Sequence, residues 1–296
     1  MKHKGSKDTK QKKKEKKKFL IYHCGALGDF VLTWAGIHLL RKAFPKHHFI
    51  AVGRAEYMKL AISIGVLDSF LDMESREIFN LMSGKIIPSE LENIDGGVIY
   101  LADAQKIISM LADKSSLPVI PVSPFTNDEV HVARYYCNEL KKHFPINIPE
   151  NPGDCFPSRN ITPKYALLHP GSGSDKKNFS HQFYRNILNE LKKHHSDVRV
   201  VLGPVEIEKG FLREYAGEKI ETPGSPIALA NLLLSASLYI GNDSGVTHLA
   251  AYLGVRTIAL HKTTNPEIWG AVGKNVKIFH GTDLDISGIL NSAFQT

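Results

Sequence analysis

The sequence predicts an α/β protein of two doubly wound domains, each a parallel sheet with helices on both faces. In the first half of the 296 residues, short apolar runs alternate with segments of helical length, which is the pattern of a parallel sheet. A proline-rich break follows, and the same alternation then restarts. Because ligands of such sheets bind at the carboxyl ends of the strands, the loops that follow the strands are the candidate sites.

The first domain is predicted over residues 19–145. Its first strand leads into Gly25-Ala26-Leu27-Gly28-Asp29 and a helix that is apolar nearly all round, as expected for a helix covered on several sides. Strands are predicted over residues 19–23, 48–52, 69–71, 97–101 and 117–121, and helices over residues 30–44, 56–64, 75–83, 104–112 and 128–144.

A linker is predicted over residues 146–163, where prolines and a glycine interrupt the chain and no apolar periodicity survives. The second domain is predicted over residues 164–282, with a terminal helix in residues 283–296. Its predicted strands cover residues 165–169, 198–202, 238–240 and 256–260, and its predicted helices cover residues 180–194, 206–215, 226–235 and 286–294.

The positive charge is concentrated at the start of the chain. Residues 1–18 hold ten lysines against Asp8 and Glu15, whereas the whole chain carries a net charge of +7. The remaining body is therefore close to neutral and is not a general polyanion binder. The plainest interpretation of residues 1–18 is a disordered solubilising tail. A second is attraction to an anionic membrane surface, where each lysine contributes about 1 kcal/mol. Nucleic-acid binding is disfavoured because no aromatic residue interleaves with the lysines.

Nothing in the sequence indicates export or membrane insertion. No stretch approaches the roughly 20 apolar residues of a membrane span, and the lysine-rich start lacks the apolar core of a secretory signal. The three cysteines, Cys24, Cys137 and Cys155, are far apart and fit a reduced cytosolic chain. We therefore expect a cytoplasmic protein.

Three predicted strand ends collect glycine or polar residues. The third, residues 239–249, is predicted to be the end of a buried strand, a glycine-containing turn and the start of a helix capped by Asp243 or Ser244. A strand that runs into a helix N-terminus is an anion site. His248 lies opposite the predicted apolar stripe of this helix, so it is not expected in the core. In the second loop, Ser172 and Ser174 are candidates to bind phosphate oxygens, and Lys177 is a candidate cation.

Each loop also has a plainer interpretation. Asp29 could only complement a helix dipole, residues 170–177 could be a surface loop with solvated lysines, and residues 242–245 could be a well-capped helix start. Neither a P-loop nor a dinucleotide fingerprint is present. No metal-ligand spacing and no nucleophile elbow is found, so neither a metal nor another cofactor is predicted.

Taken together, the three loops resemble glycosyltransferase family 9, the bacterial lipopolysaccharide heptosyltransferases. The matching segments, in order, are Gly25-Ala26-Leu27-Gly28-Asp29, then His169-Pro170-Gly171-Ser172 with Lys177-Asn178-Phe179, then Gly241-Asn242-Asp243-Ser244-Gly245 with His248. The similarity covers most of residues 19–280. The resemblance implies a GT-B fold, in which two Rossmann-like domains face each other across a cleft. It also implies metal-independent, inverting transfer of a heptose-like sugar.

The resemblance further implies roles for single residues. Asp29 matches the general base, Lys177 matches the lysine on the donor phosphate, and Asp243, Ser244, Gly245 and His248 match the donor-binding turn. Gly28, Ser172 and Ser174 complete the predicted substrate contacts. Phe179 departs from the family, which often has tryptophan there.

The partners expected from this resemblance are an ADP-heptose-like nucleotide diphosphate sugar and a lipid-linked glycan acceptor of the lipopolysaccharide core type. The lysine-rich tail adds the cytoplasmic face of the inner membrane as a candidate surface, and no nucleic acid is expected. Two alternatives stay open: a nucleotide-sugar-binding protein without transferase activity, and a GT-B-like epimerase or hydrolase.

Overall fold

The computed structural model describes residues 16–112, 115–126 and 130–294. These residues form two sheets flanked by helices, and every strand pairing in both sheets is parallel. The strands are β1 (Lys18–His23), β2 (His48–Gly53), β3 (Ser69–Asp72), β4 (Ile94–Tyr100), β5 (Val119–Pro121), β6 (Tyr165–His169), β7 (Val198–Val201), β8 (Lys219–Glu221), β9 (Ala236–Asn242), β10 (Thr257–His261) and β11 (Val276–His280).

Helices follow most of these strands and supply the crossovers that parallel pairing requires. They are α1 (Leu27–Ala43), α2 (Ala55–Ser63), α3 (Arg76–Met82), α4 (Gln105–Ala112), α5 (Val132–Lys141), α6 (His181–His194), α7 (Pro204–Glu208), α8 (Phe211–Glu214), α9 (Pro226–Leu233), α10 (Gly245–Tyr252), α11 (Pro266–Trp269) and α12 (Ile286–Phe294). The predicted class, two Rossmann-like doubly wound domains, is confirmed.

The order of the strands fixes where a ligand can bind. The first sheet has the order β3-β2-β1-β4-β5 and the second has the order β11-β10-β9-β6-β7-β8. In each sheet the direction of winding reverses at one place, between β1 and β4 and between β6 and β9. A crevice opens at such a reversal, at the carboxyl ends of the strands. The three predicted site loops follow β1, β6 and β9, so all three lie at these reversal points.

The main apolar core lies between the two sheets rather than inside either one. A single buried cluster joins Phe19 and Trp34 of the first half to Tyr239 and Leu249 of the second. Helix α1 packs against α10, and α2 packs against α9. The rings of Trp34 on α1 and Tyr252 on α10 meet edge to face with centroids 4.5 Å apart. The helices of this layer therefore hold the two sheets in a defined relation at the base of the cleft.

The start of the fold lies inside the segment predicted as a tail. Residues 1–15 of that segment lie outside the described residues. Lys18 is already the first residue of β1, and the Lys17 ammonium lies 3.2 Å from a carboxylate oxygen of Asp95. A prediction based on charge alone missed these two lysines because strand pairing and an ion pair hold them against the sheet.

Several predicted boundaries differ from the structure for identifiable reasons. The predicted helix over residues 206–215 is two short helices, because Gly210 adopts a left-handed conformation with φ of 82°. The predicted helix over residues 128–144 begins only at Val132, and residues 127–129 lie outside the described residues. The strands β8 and β11 were not predicted. They are the two edges of the second sheet, where exposed and half-buried residues alternate irregularly and give no continuous apolar run. Within the described ranges, no helix combines the length and apolarity that a bilayer crossing demands.

Candidate active site

A cleft of about 480 Å³ opens between the two sheets. The first domain contributes residues from the start of α1, and the second contributes the loops after β6, β9 and β10. The lining residues are Ala26, Gly28, Asp29, Leu32, Gly173, Ser174, Lys177, Asp243, Ser244, Gly245, His248, Thr264 and Trp269. The cleft thus brings together eight of the nine residues predicted to form a site. Their roles stay predictions.

Asp29 lies in the first turn of α1, which begins at Leu27 and not at residue 30 as predicted. The N-cap residue Ala26 provides no side-chain hydrogen bond to the helix, so the first backbone N–H groups remain free to interact with a ligand. The Asp29 side chain is exposed to the cleft. Gly25 allows this turn to form, because a Cβ there would lie 2.9 Å from His23 Cε1 and 3.4 Å from Asp29 Oδ2.

The N-termini of α1 and α10 meet at the floor of the cleft. A Cβ on Gly245 would lie 3.0 Å from the backbone nitrogen of Gly28, and a Cβ on Gly28 would lie 3.2 Å from His248 Cδ2. Only residues without a side chain allow this approach without displacement of the neighbours. The two glycines therefore set the distance between α1, which carries Asp29, and α10. This close packing is a structural role for Gly28 and Gly245 in addition to their predicted substrate contacts.

The turn before α10 is shorter than predicted. Gly241 and Asn242 are the last residues of β9, because their backbones pair with Ala259 and Leu260 of β10. Only residues 243 and 244 form the turn. Ser244 is the N-cap, and its hydroxyl accepts a bond from Thr247 N.

Asp243 is the centre of the charge arrangement in the cleft. Its carboxylate is buried and lies 2.6 Å from Lys177 Nζ and 3.6 Å from His248 Nε2. Burial alone favours the neutral acid, but the hydrogen bonds and charges of His248 and Lys177 outweigh it and hold the Asp243 pKa well below its usual range. Asp243 is therefore ionised at neutral pH and fixes the lysine at the mouth of the anion pocket.

His248 contradicts the expectation that it lies outside the core. Only 6% of its surface is exposed, and α10 is buried on nearly all sides rather than along one stripe. The reason is that α10 is covered by the sheet on one side and by α1 of the other domain on another. The apolar stripe predicted from the sequence of α10 alone cannot show that a helix from a distant segment covers the opposite side.

A buried network holds the loop after β6 in place. Asn242, with no exposed surface, accepts a bond of 2.5 Å from the Tyr184 hydroxyl. Its amide nitrogen donates to the Pro170 carbonyl oxygen and to Asn178 Oδ1. Lys262 Nζ donates to the Asn178 carbonyl oxygen at 2.8 Å. Two side chains, Asn242 and Lys262, thus hold the loop through three hydrogen bonds, which the plainer interpretation of a solvated surface loop did not include.

Ser172 takes part in this network and does not line the cleft. It is 3% exposed, and its hydroxyl lies 2.7 Å from Asn178 Oδ1 and 2.8 Å from the Ser174 carbonyl oxygen. Its hydroxyl is thus engaged within the loop, and its predicted substrate contact stays a prediction. The hydroxyl points inward because the short loop must satisfy its own polar groups before it can serve a ligand.

Several residues near the cleft were missed in the sequence. Leu32, Thr264 and Trp269 line it without forming a motif. Glu206 is 5% exposed; it accepts a bond of 2.8 Å from Gly203 N and lies 3.7 Å from His169 Nε2. Burial favours the neutral acid, but the hydrogen bond and charge of His169 and the bond from Gly203 hold the Glu206 pKa below its usual range. The sequence did contain a signal for Glu206: it is an acidic residue three positions after Gly203, the N-cap of a helix that begins with proline.

The described part of the chain contains no group of three or more histidine, cysteine, aspartate or glutamate side chains arranged to hold a metal ion. Besides Asp29, and besides Asp243 with its partner His248, the polar groups that face the cleft are Lys177, hydroxyls and free N–H groups of helix N-termini. Such groups bind anions, and phosphate is the anion that fits a strand-turn-helix of this kind.

Comparison with known proteins gives a consistent result. Residues 129–286 match the model of glycosyltransferase family 9 (heptosyltransferase). Lipopolysaccharide heptosyltransferase 1 of Escherichia coli O18:K1:H7 (strain RS218 / NMEC) is 24% identical over 161 residues, which is 53% of this chain and 46% of that protein. The protein of the same description from Escherichia coli (strain K12) is 26% identical over 46% of this chain and 40% of its own length. The chain thus spans about half the length of the curated relatives it matches.

Solved structures match over more of the chain. The E. coli heptosyltransferase WaaC with ADP superposes with a TM-score of 0.72 and 16% identity, covering 93% of this chain and 98% of that one. The family 9 glycosyl transferase from Veillonella parvula DSM 2008 superposes with a TM-score of 0.71 and 18% identity, covering 94% of this chain and 96% of that one. At these identities the structures establish the shared GT-B fold. The family match extends over more than half of the chain and includes two of the three cleft loops, and on this ground the chain belongs to glycosyltransferase family 9.

Proposed function

We propose that this chain is an inverting glycosyltransferase that moves a heptose-like sugar from a nucleotide diphosphate sugar to a lipopolysaccharide core or related glycan acceptor. The observation that carries the proposal is the composition of the cleft. One wall presents a carboxylate, Asp29, and the facing wall presents an anion pocket of Lys177, Ser244 and Gly245. A base opposite a diphosphate pocket is what direct displacement at a sugar carbon requires.

The donor wall is suited to stabilise a departing diphosphate. As the bond between the sugar carbon and the diphosphate oxygen breaks, negative charge grows on that oxygen. The Lys177 ammonium and the free N–H groups at the start of α10 can neutralise this charge, because they are already in place and need no rearrangement. ADP is the nucleotide of the E. coli heptosyltransferase WaaC structures, which supports an ADP-heptose-like donor here.

The acceptor wall is suited to activate a hydroxyl. In the proposed step the acceptor oxygen attacks the sugar carbon from the side opposite the diphosphate, and its proton passes to the Asp29 carboxylate. One new carbon–oxygen bond forms, one breaks, and the configuration at the carbon is inverted. Because Asp29 is exposed to the cleft, a substrate hydroxyl can reach it without displacing a protein partner.

Transfer activity is tested with purified protein, ADP-heptose and a deacylated lipopolysaccharide core lacking heptose, followed by mass spectrometry of the acceptor. The proposal expects a mass increase of one heptose and release of one ADP for each product. Consumption of the nucleotide sugar without any glycosylated acceptor would favour a hydrolase or epimerase. Binding without consumption would favour a protein that only holds the nucleotide sugar.

We also propose that the protein is cytoplasmic and that its lysine-rich tail contacts the anionic cytoplasmic face of the inner membrane. The charge of residues 1–18, ten lysines against two acidic residues, supports this, as does the lipid-linked nature of the proposed acceptor. Removal of residues 1–15 should release the protein from vesicles containing 30% phosphatidylglycerol at low salt. Binding that is unchanged by this deletion would refute the role of the tail.

A further inference from the structure

Trp269 gives the cleft an aromatic wall that the proposed chemistry does not use. It is the last residue of α11, is half-buried and lines the cleft together with Leu32 of α1. Leu32 lies three residues after Asp29 on the same helix, so the two side chains share a face. The apolar part of the cleft therefore adjoins the carboxylate of the proposed base, where the reacting sugar must lie.

The topology places Trp269 on a defined side of the anion pocket. Lys177 follows β6 and Trp269 follows β10, and these two strands lie on opposite sides of β9. The turn of Ser244 and Gly245, which follows β9, lies between them. A diphosphate bound at this turn thus has one end toward the loops of β6 and β7 and the other end toward Trp269.

The segment that carries Trp269 is anchored from both domains. The Trp269 backbone N–H donates to the Asn265 carbonyl oxygen at 3.0 Å. His131, which precedes α5 in the first domain, lies with Nε2 2.9 Å from the Gly270 carbonyl oxygen. Its Nδ1 accepts from Ala133 N at 3.2 Å, which assigns the proton to Nε2. The indole is therefore held on a short turn whose position depends on the first domain.

We propose that Trp269, with Leu32, forms the subsite for the transferred sugar and that its indole stacks on the C–H face of the pyranose ring. This inference rests on the proposed function. The face of an aromatic ring carries partial negative charge, and the axial C–H groups of a pyranose present a weakly positive, apolar face that complements it. The sugar thereby lies between the diphosphate pocket and Asp29.

The chain offers a direct probe of this contact, because it contains two tryptophans and the other, Trp34, is fully buried. In a Trp34→Phe background, Trp269 is the single tryptophan, and it is excited selectively at wavelengths that the ten tyrosines do not absorb. We expect ADP-heptose at saturation to shift its emission to shorter wavelength and ADP to shift it much less. A melting curve of the Trp34→Phe protein verifies that the fold is retained.

Calorimetry with variants of the otherwise native chain separates stacking from a structural effect. Trp269→Ala should weaken ADP-heptose binding about tenfold and change ADP affinity less than about twofold, while Trp269→Phe should retain most of the affinity.

Equal emission shifts with ADP and ADP-heptose would overturn the proposal and place the nucleobase on Trp269. Equal losses of affinity for both ligands would overturn it in favour of a structural role. If the wild-type protein binds ADP-heptose and Trp269→Ala leaves that affinity unchanged, the sugar subsite is refuted while the proposed function stands. If the wild-type protein binds neither ligand, both fail.

Discussion

The two walls of the cleft are built on different principles. On the second-domain wall, the fully buried Asn242 ties the loop after β6 to β9, and Asp243 holds Lys177 at 2.6 Å. On the first-domain wall, the N-cap residue of α1, Ala26, provides no side-chain hydrogen bond, and Asp29 is exposed. Among the described residues, no cationic side chain forms an ion pair with Asp29.

The difference teaches that the two halves of the proposed reaction depend on structure in different ways. The anion pocket is organised before any ligand arrives, because the side chains that support it, Asn242 and Asp243, are already paired and buried. The carboxylate acquires its partner only with the acceptor, and its position depends on the contact between Gly28 and Gly245. Changes on the first-domain wall should therefore affect turnover, and changes on the second-domain wall should affect donor affinity and stability.

The largest effect is expected from Asp29→Asn. This variant keeps the shape of the side chain but removes the base, so turnover should fall by about 10²–10⁴-fold. Affinity for ADP-heptose, measured by calorimetry, should stay within about twofold because the donor wall is untouched. Asp103→Asn changes another exposed carboxylate of the first domain and is the matched control. Turnover of Asp29→Asn near that of the control would show that Asp29 is not the base.

The next effect is expected on the other wall, from Asn242→Leu. The leucine fills the same space but leaves the proton of the Tyr184 hydroxyl without an acceptor and the Pro170 carbonyl oxygen without its donor. Buried polar groups that lose a partner cost about 1–3 kcal/mol each. The free energy of unfolding in urea should therefore fall by about 3 kcal/mol, and donor affinity should fall with it. Asn186→Leu, on the exposed side of α6, controls for the substitution itself. An unfolding free energy equal to that of the control would mean that the network does not organise the loop.

The fold and much of the cleft could be predicted because both are local in sequence. Apolar runs that alternate with helical segments predict the strands of a parallel sheet, and the loops after β1, β6 and β9 each contain glycine or polar residues. Since strand ends of a doubly wound sheet meet at its reversal point, Asp29, Lys177 and Asp243 could be placed at one cleft from one sequence. The family resemblance, carried by the same loops, is confirmed by the match of residues 129–286.

The remaining features depend on contacts that no local pattern contains. Asn242 was expected in a turn because asparagine beside glycine is typical of turns, but the pairing of β9 with β10 keeps it in the strand. His248 was expected outside the core because it lies opposite the apolar stripe of its own helix, but α1, more than 200 residues earlier, covers that side of α10. Trp269 lies in the cleft because β10, the strand before it, lies beside β9 in the sheet. Ser172 does not line the cleft because its hydroxyl forms hydrogen bonds within its own loop.

A smaller effect on the donor wall is expected from Lys177→Ala. Hydrogen bonds to charged groups contribute about 1.5–3 kcal/mol, so affinity for ADP should fall roughly 10–100-fold. The Asp243 pKa should also rise toward its usual range, because one of the groups that lower it is removed. Lys176→Ala removes the exposed neighbour and should leave the affinity unchanged. Equal effects of the two substitutions would show that Lys177 acts only through the general charge of the loop.

The smallest effect distinguishes the walls by pH. Burial lowers the pKa of His23, which lies beneath the Asp29 turn, to about 4, whereas an unfolded histidine titrates near 6.5. Between these values the unfolded chain binds the proton more readily, so stability is retained above pH 6.5 and declines as the pH falls. From pH 7 to 5.5 the share of His23 is about 1 kcal/mol. Asp243 and Glu206 on the donor side have lowered pKa values. Their contribution to stability is therefore present above the pKa of unfolded carboxyl groups and is lost only as the pH falls below that value.

His23→Phe tests this share directly. The imidazole packs against Phe30 with ring centroids 5.0 Å apart, and its Nδ1 has no hydrogen-bond partner among the described residues. A phenyl ring can therefore occupy the site without leaving a polar group unpaired. Between pH 7 and 5.5, the change in the free energy of unfolding in urea should be about 1 kcal/mol smaller in the variant than in the wild type, because the share of His23 is removed. Part of the change should remain, because burial also lowers the pKa of His38 to about 4. An identical difference in both proteins would mean that His23 is solvated or hydrogen-bonded in the native state, and that the packing beneath Asp29 does not contribute this pH dependence.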